Sequence, residues 1–290
     1  MAEGALPAAA QLARKNGAQL TLVHVVEKNA PSEVHSDRHL VGASEAGAYL
    51  EELARRPVLA GLRVETHVHE AEVSNVAKSI SEHAAELAPD LVVMSTHGRG
   101  SARRMFFGAI AQRVIGLSDT PVLLLRPAED APGQGQELQL RAILVPIDGD
   151  PAHERALPVA EDLARSFSCR LNILMVVPTI GALKGLQAAA SMLLPNAMRA
   201  KLEMDSASAY EHVQEQARTL VARGVQATSE TSRGDPARAI VSAARRLSSD
   251  LVVMGTHGRA GTDAFWEGSV AARVISRARV PLLLVPLKHP

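Results

Sequence analysis

One ten-residue phrase occurs twice: Asp90-Leu-Val-Val-Met-Ser-Thr-His-Gly-Arg99 and Asp250-Leu-Val-Val-Met-Gly-Thr-His-Gly-Arg259. Nine of the ten positions match, and the mismatch sets Ser95 against Gly255. Each copy opens on a short apolar run with the pattern of a buried strand and passes into a glycine-containing loop. Ten residues beyond Gly98 and Gly258 stand Gly108 and Gly268, each at the head of a helical pattern. A strand, a glycine loop and a helix start, in that order, bring free backbone N–H groups and the positive end of a helix dipole to one place, which suits a phosphate. The two phrases are read as two phosphate cradles, intact in the second copy and damaged in the first.

The duplication extends on both sides. Ala5-Leu-Pro7 matches Ala156-Leu-Pro158 at an offset of 151, and the phrase repeats at 160, so the second half carries nine more residues between its second and fourth strands. In the first half a helix is expected over 2–16, ended by Gly17, then a strand at Leu20–Val26, a loop from Lys28 to Val41, a helix over 44–56, a strand at Leu62–His69 and a helix over 73–87. Strand Leu91–Met94, helix Gly108–Leu117 and strand Val122–Leu125 close that half. Glu129–Gln139 has the composition of a linker. The second half adds a strand at its start, Ala142–Asp148, that the first half lacks. Then come helix Glu154–Ser166, strand Leu171–Val177, an excursion including Ala188–Leu194, a helix over 197–223, strand Val225–Ser229 and a helix with Pro236 at its first position, where a missing N–H costs nothing. Strand Leu251–Met254, the loop from Gly255, helix Gly268–Arg277 and strand Leu282–Val285 follow. Strands alternating with helices indicate an α/β fold, a doubly wound parallel sheet in each repeat. The expected domains are 1–128 and 140–290, joined by 129–139.

Composition narrows the function classes. Of 290 residues, 47% are hydrophobic but only 2% aromatic, so the core is built from Ala, Val, Leu and Ile, as in a parallel sheet covered by helices. The formal charge is zero, against a general grip on nucleic acid or anionic membrane. Cys169 is the single cysteine, so no internal disulfide forms. No run of about 18 apolar residues offers a membrane span, and Ala5–Ala13 lacks the charged flank of a signal peptide. A cytoplasmic protein is expected.

In doubly wound folds, ligands bind beyond the carboxyl ends of the strands where strand order reverses. Val145-Pro-Ile-Asp148 and Met254-Gly255 should meet there, with the carboxylate of Asp148 suited to a ribose hydroxyl or a metal ion. With Ile143-Leu-Val-Pro-Ile-Asp-Gly149, Gly234-Asp-Pro236 and Met254-Gly-Thr-His-Gly-Arg259 through Gly268-Ser269-Val270 in view, the chain resembles a tandem universal stress protein, two copies of one domain. The resemblance covers nearly the whole chain and implies a five-stranded sheet of order 3-2-1-4-5 in each repeat. It implies ATP, with Mg, in the C-terminal repeat. Pro146, Ile147 and Asp148 would lie near ribose and adenine, and Val176 would offer backbone contacts to adenine. Gly255, Gly258, Gly268, Ser269 and Val270 would line the phosphates, beside Met254, with charge from Arg259. It also implies that the repeats pair antiparallel through Val122–Leu125 and Leu282–Val285; a homodimer of the chain is left open. The implied role is nucleotide-dependent regulation in stress response. A slow ATPase or adenylyl-transferring enzyme, and a dimerisation module that binds nothing, are the alternatives.

The first repeat departs from this pattern. Ser95 replaces the first signature glycine, Ala109 the serine after Gly108, and Ser74-Asn75-Val76 stands in place of Gly-Asp-Pro. The strand that would carry the acid is missing, although it would be central. Each backbone group left buried and unpaired costs roughly 1–3 kcal/mol, against a domain stability of about 5–15 kcal/mol. Either the recorded start lies past that strand, or the domain closes around the gap. This repeat is expected to bind nucleotide weakly or not at all.

Other residues carry weaker signals. His97 and His257 are read as loop structure. His67 and His69 alternate on a strand and could share a face, but no third ligand accompanies them in the sequence, so no metal site and no catalytic residue is expected. His35 and His39 are read as solvated, Cys169 as core, and Trp266-Glu267 as a solvated face. The apolar insert Ile180–Leu194 is a lid or packing, undecided from sequence.

Overall fold

A computed structural model of the chain describes residues 2–28, 33–34, 37–38, 40, 42–95, 109–125, 137–151, 154–183, 185–257 and 269–287. The chain divides into two compact units, residues 1–138 and 139–290.

The N-terminal unit begins with a 3-10 turn at Ala2–Ala5 and helix α1 (Leu6–Asn16). Leu6, Ala9, Ala10 and Ala13 are buried, as the apolar spacing requires, and Gly17 ends the helix in the left-handed region. Strand β1 (Leu20–Glu27) follows, then two short strands, β2 (Glu33–Val34) and β3 (Asp37–Arg38), paired antiparallel inside the segment expected to be loop. Helix α2 (Ala43–Ala54) leads to β4 (Val64–Val73), α3 (Val76–Leu87), β5 (Val92–Ser95), α4 (Ala109–Leu117) and β6 (Val122–Leu125). β4 runs four residues past the expected His69, taking in Val73 that was read as helical, because its pairing with β1 slips between His69 and Val73 and resumes at Glu27 opposite Val73. β1 pairs with β4 and β5 with β6, both parallel. The two pairs are not bridged to each other among the described residues, and the Ala2–Ala5 turn lies against β5. Glu3 anchors that turn to α2, accepting from Tyr49 at 2.5 Å and Arg56 at 2.6 Å. A core of Leu6, Ala10, Leu22, Leu50, Leu53 and Leu59 fills the space between β1, α1 and α2.

The C-terminal unit holds β7 (Ala142–Ile147), α5 (Ala156–Phe167), β8 (Arg170–Val177), α6 (Gly185–Leu193), α7 (Pro195–Ala222), β9 (Ala227–Arg233), α8 (Pro236–Arg246), β10 (Leu251–His257), α9 (Val270–Ile275) and β11 (Leu282–Leu287). All five strands are parallel, in the order β9-β8-β7-β10-β11, which is the expected 3-2-1-4-5. β7 is the central strand, and Ala142 through Val145 are completely buried. Small residues on α5, Ala156, Ala160 and Ala164, recur at the helical period and bring the helix close to the sheet. The buried carboxylate of Glu161 is paired by Arg165 on the same helix and by Arg223 at the end of α7, as a buried charge requires. The insert forms α6, whose Leu186, Met192 and Leu193 are exposed. No helix among the described residues is long and apolar enough to cross a membrane.

Candidate functional site

The strand order reverses between β7 and β10 in the C-terminal unit. β7 leads through α5 to β8 on one side, while β10 leads through α9 to β11 on the other. A crevice at such a reversal is where a ligand edge can enter. Here the ladder between β7 and β10 holds at Leu251 opposite Ile143 and Val252 opposite Leu144 and goes no further, although both strands continue. The sequence supplies a cause. The carbonyl of Ala142 faces β10, where it accepts from Asp250 N–H at 2.8 Å, and that of Arg141 faces β8, where it accepts from Arg170. By alternation Leu144 and residue 146 also face β10, and residue 146 is proline, which has no N–H to donate. The registered pairing ends where the donor is missing.

Several of the sequence-derived residues lie on the strands on either side of that point. Pro146 and Ile147 form the last rungs of β7, opposite Leu174 and Met175 of β8. Asp148 follows at the exposed end of β7, and one carboxylate oxygen accepts from Asp150 N–H at 3.1 Å. Gly149 makes this turn with φ +82°, and a Cβ there would stand 3.2 Å from Met175 Cε. Val176 lies near the end of β8, opposite Ser232. Met254 is buried and Gly255 half-buried, opposite Leu284 and Val285. Gly255 was expected in the loop; it lies within β10, because β11 supplies Val285, Pro286 and Leu287 as partners through His257. The hydroxyl oxygen of Thr256 is buried with no hydrogen-bond partner among the described residues. Gly258, Arg259 and Gly268 lie outside the described residues, as do Trp266 and Glu267.

α9 is shorter than the expected Gly268–Arg277. It begins at Val270, and Ser269 caps it, its hydroxyl oxygen accepting from Ala272 N–H at 3.1 Å. A capping serine spends a lone pair, not its proton, so the Ser269 O–H keeps its donor for a ligand. Arg273 on α9 reaches Asp235, the cap of α8, whose other oxygen accepts from Arg238 N–H at 3.0 Å. The Gly234-Asp-Pro236 motif is thereby explained. Gly234 takes φ +134°, Asp235 caps α8 and clamps α9, and Pro236 opens the helix. Burial alone pushes the Asp235 carboxyl up. The hydrogen bonds from Arg273 and Arg238 and the pull of both guanidinium groups outweigh it and hold the group below its ordinary value.

Asp250, the first residue of the repeated phrase, has a structural task. One oxygen accepts from the N–H groups of Arg141 at 2.8 Å and Ala142 at 3.1 Å, tying the start of β10 to the start of β7. Neither this lock nor the Asp235–Arg273 clamp is visible in the sequence, since each joins residues far apart in the chain.

In the N-terminal unit, Asn75 keeps the capping half of the motif, accepting from Lys78 N–H at 3.0 Å. Being neutral, it cannot form the charged half. Ser95 ends β5 opposite Leu125.

The family model described as "Universal stress protein family" matches residues 1–126 and again 139–286. Universal stress protein MJ0531 of Methanocaldococcus jannaschii is 32% identical over 145 residues, covering 50% of this chain and 81% of that one. A universal stress protein of Mycolicibacterium smegmatis is 24% identical over 296 residues, covering 96% of this chain and 90% of its own. In fold, the chain is similar to the crystal structure of a universal stress protein from Archaeoglobus fulgidus, with a TM-score of 0.68 at 17% identity, covering 98% of this chain and 91% of that one.

Proposed function

The chain belongs to the universal stress protein family, and on that premise we propose that it binds ATP, with Mg, at one site in the C-terminal repeat. Occupancy of this site regulates its interactions in a stress response, without turnover being required. The supporting observation is that registered pairing between β7 and β10 ends beyond Leu144 and Val252, a seam in the ladder at the strand-order reversal. The residues around the seam fit a nucleotide. Asp148 stands exposed at its mouth for the ribose, with Pro146, Ile147 and Val176 as the apolar and backbone surface for adenine. Gly255, Ser269 and Val270 would line the phosphates beside Met254, and by the motif Gly258, Gly268 and Arg259, which lie outside the described residues, would complete the cradle and its positive charge. The bound Mg ion would offset charge on the phosphates. The N-terminal repeat, with Ser95, Ala109 and no strand equivalent to β7 among the described residues, contributes scaffold.

Mass spectrometry of nucleotide retained by the purified chain tests the reading, together with thermal denaturation in the presence and absence of ATP–Mg. Retained adenine nucleotide and a raised melting temperature are expected. No retained nucleotide combined with no shift would defeat the proposal. The enzymatic alternative, slow hydrolysis or adenylyl transfer, is separated by phosphate and pyrophosphate release from the Gly258→Asp variant. Release at the wild-type rate would exclude this site as its source.

A further inference from the structure

The two repeats differ sharply at one place that the proposed nucleotide site does not use. In the N-terminal unit Val23 of β1 lies opposite His67 of β4, and Val25 opposite His69. The matching rungs of the C-terminal unit are Leu174 opposite Glu230 and Val176 opposite Ser232. On the helices that follow, counted from the caps Asn75 and Asp235, His83 and Glu86 stand where the other repeat has Ala243 and Arg246. The C-terminal repeat fills this place with small residues and a Glu230–Arg246 ion pair. The N-terminal repeat fills it with three imidazoles and a carboxylate.

The four side chains are in contact. His67 and His69 alternate on β4 and share a face. The ring of His83 meets both edge to face, with centroids 4.6 Å from His67 and 4.8 Å from His69. His83 Nε2 lies 2.9 Å from His69 Nδ1, and His83 Nδ1 lies 3.2 Å from Glu86 Oε2. His83 is 7% exposed. His67 Nε2 is buried and has no hydrogen-bond partner among the described residues. An unpaired buried nitrogen costs free energy that the other repeat avoids, so plain packing does not account for the arrangement.

We infer that the N-terminal repeat carries a transition-metal site, with His67, His69 and His83 as ligands and Glu86 orienting His83. Two imidazole nitrogens bound to one tetrahedral Zn²⁺ at roughly 2.0–2.1 Å sit about 3.3 Å apart, so the His69–His83 pair needs to open only slightly to exchange its shared proton for a metal ion. A carboxylate behind a ligating histidine fixes the ring and raises its basicity, which is the place Glu86 holds. Neutral imidazole donors suit Zn²⁺, Cu²⁺ and Ni²⁺. Among the described residues no three donors already converge on one point; binding turns the His67 ring so that its unbonded Nε2 joins the other two.

The test is a titration of the chelator-treated full-length chain with zinc chloride, in competition with a chromophoric chelator. Two variants run beside it: His67→Ala, and the double variant His69→Ser with His83→Ala. The double variant carries the residues that the C-terminal repeat uses at the same positions. The wild type is expected to bind zinc stoichiometrically and each variant to bind it more weakly by roughly ten- to a hundred-fold or more. Far-UV circular dichroism checks that the variants fold; should the double variant fail, His67→Ala decides alone. Zinc affinity unchanged in the folded variants, or no zinc binding by the wild type, would overturn the inference.

Discussion

Asp235 joins two helices through one carboxylate, and its charge is the part of the motif that the N-terminal repeat has given up. Because its folded-state value lies below the ordinary 3.8, the stabilisation is fully present above that ordinary value. It is lost as pH falls through the depressed one. Asp235→Asn installs the residue that caps the equivalent helix at Asn75, so it keeps the cap and removes the ion pair with Arg273. At neutral pH the variant is expected to melt below the wild type. The gap should close as the pH falls from the ordinary carboxylate value through the depressed one, below which both side chains are neutral. A gap in melting temperature that is independent of pH would show that the charge pair contributes nothing.

Between elements, Asp250 sets the register of the two strands that flank the seam. Asp250→Ala leaves the N–H groups of Arg141 and Ala142 without their acceptor and is expected to cost roughly 1–3 kcal/mol in urea denaturation of the full chain. Asp90→Ala should stay within about 0.5 kcal/mol, because among the described residues the N-terminal unit has no strand equivalent to β7 for it to hold. Elements with apolar runs of their own were legible in the sequence. Leu20–Val26, Val122–Leu125 and Leu171–Val177 needed only their residues to be read as strands, while the strand order came from the family resemblance. The ends of β4, β9 and β10 were not legible. Glu70 and Glu72 are polar, Thr231 and Ser232 are neutral in pattern, and Gly255 is a loop residue by propensity. Thr231, Ser232 and Gly255 are strand because a neighbour offers partners, and Glu70 and Glu72 lie where the β1–β4 pairing slips before it resumes at Val73. The site divides in the same way. Asp148, Gly255 and Ser269 followed from the motif. Pro146 as the cause of the seam, and His83 as the companion of His67 and His69, depend on which groups face which neighbour. Setting β4 against β9 rung by rung would have exposed the histidines.

For the molecule as a whole, one scaffold used twice has been given two different interiors. Residues 1–138 and 139–290, produced separately, divide the proposed properties. Only the second is expected to retain nucleotide, read by mass spectrometry of each purified half. The seam beside β7 has one more consequence, in the time domain. The Val252 amide donates to the Pro281 carbonyl at 3.1 Å, whereas the Gly255 amide, three residues on, faces by alternation the β7 side, beyond the last registered pair. In deuterated water without ligand, the Gly255 amide should exchange much faster than that of Val252, although both belong to the same strand. Nucleotide should slow the first and leave the second unchanged. On that outcome the edge of β10 beside β7 opens on the timescale of solvent exchange while its other edge stays closed.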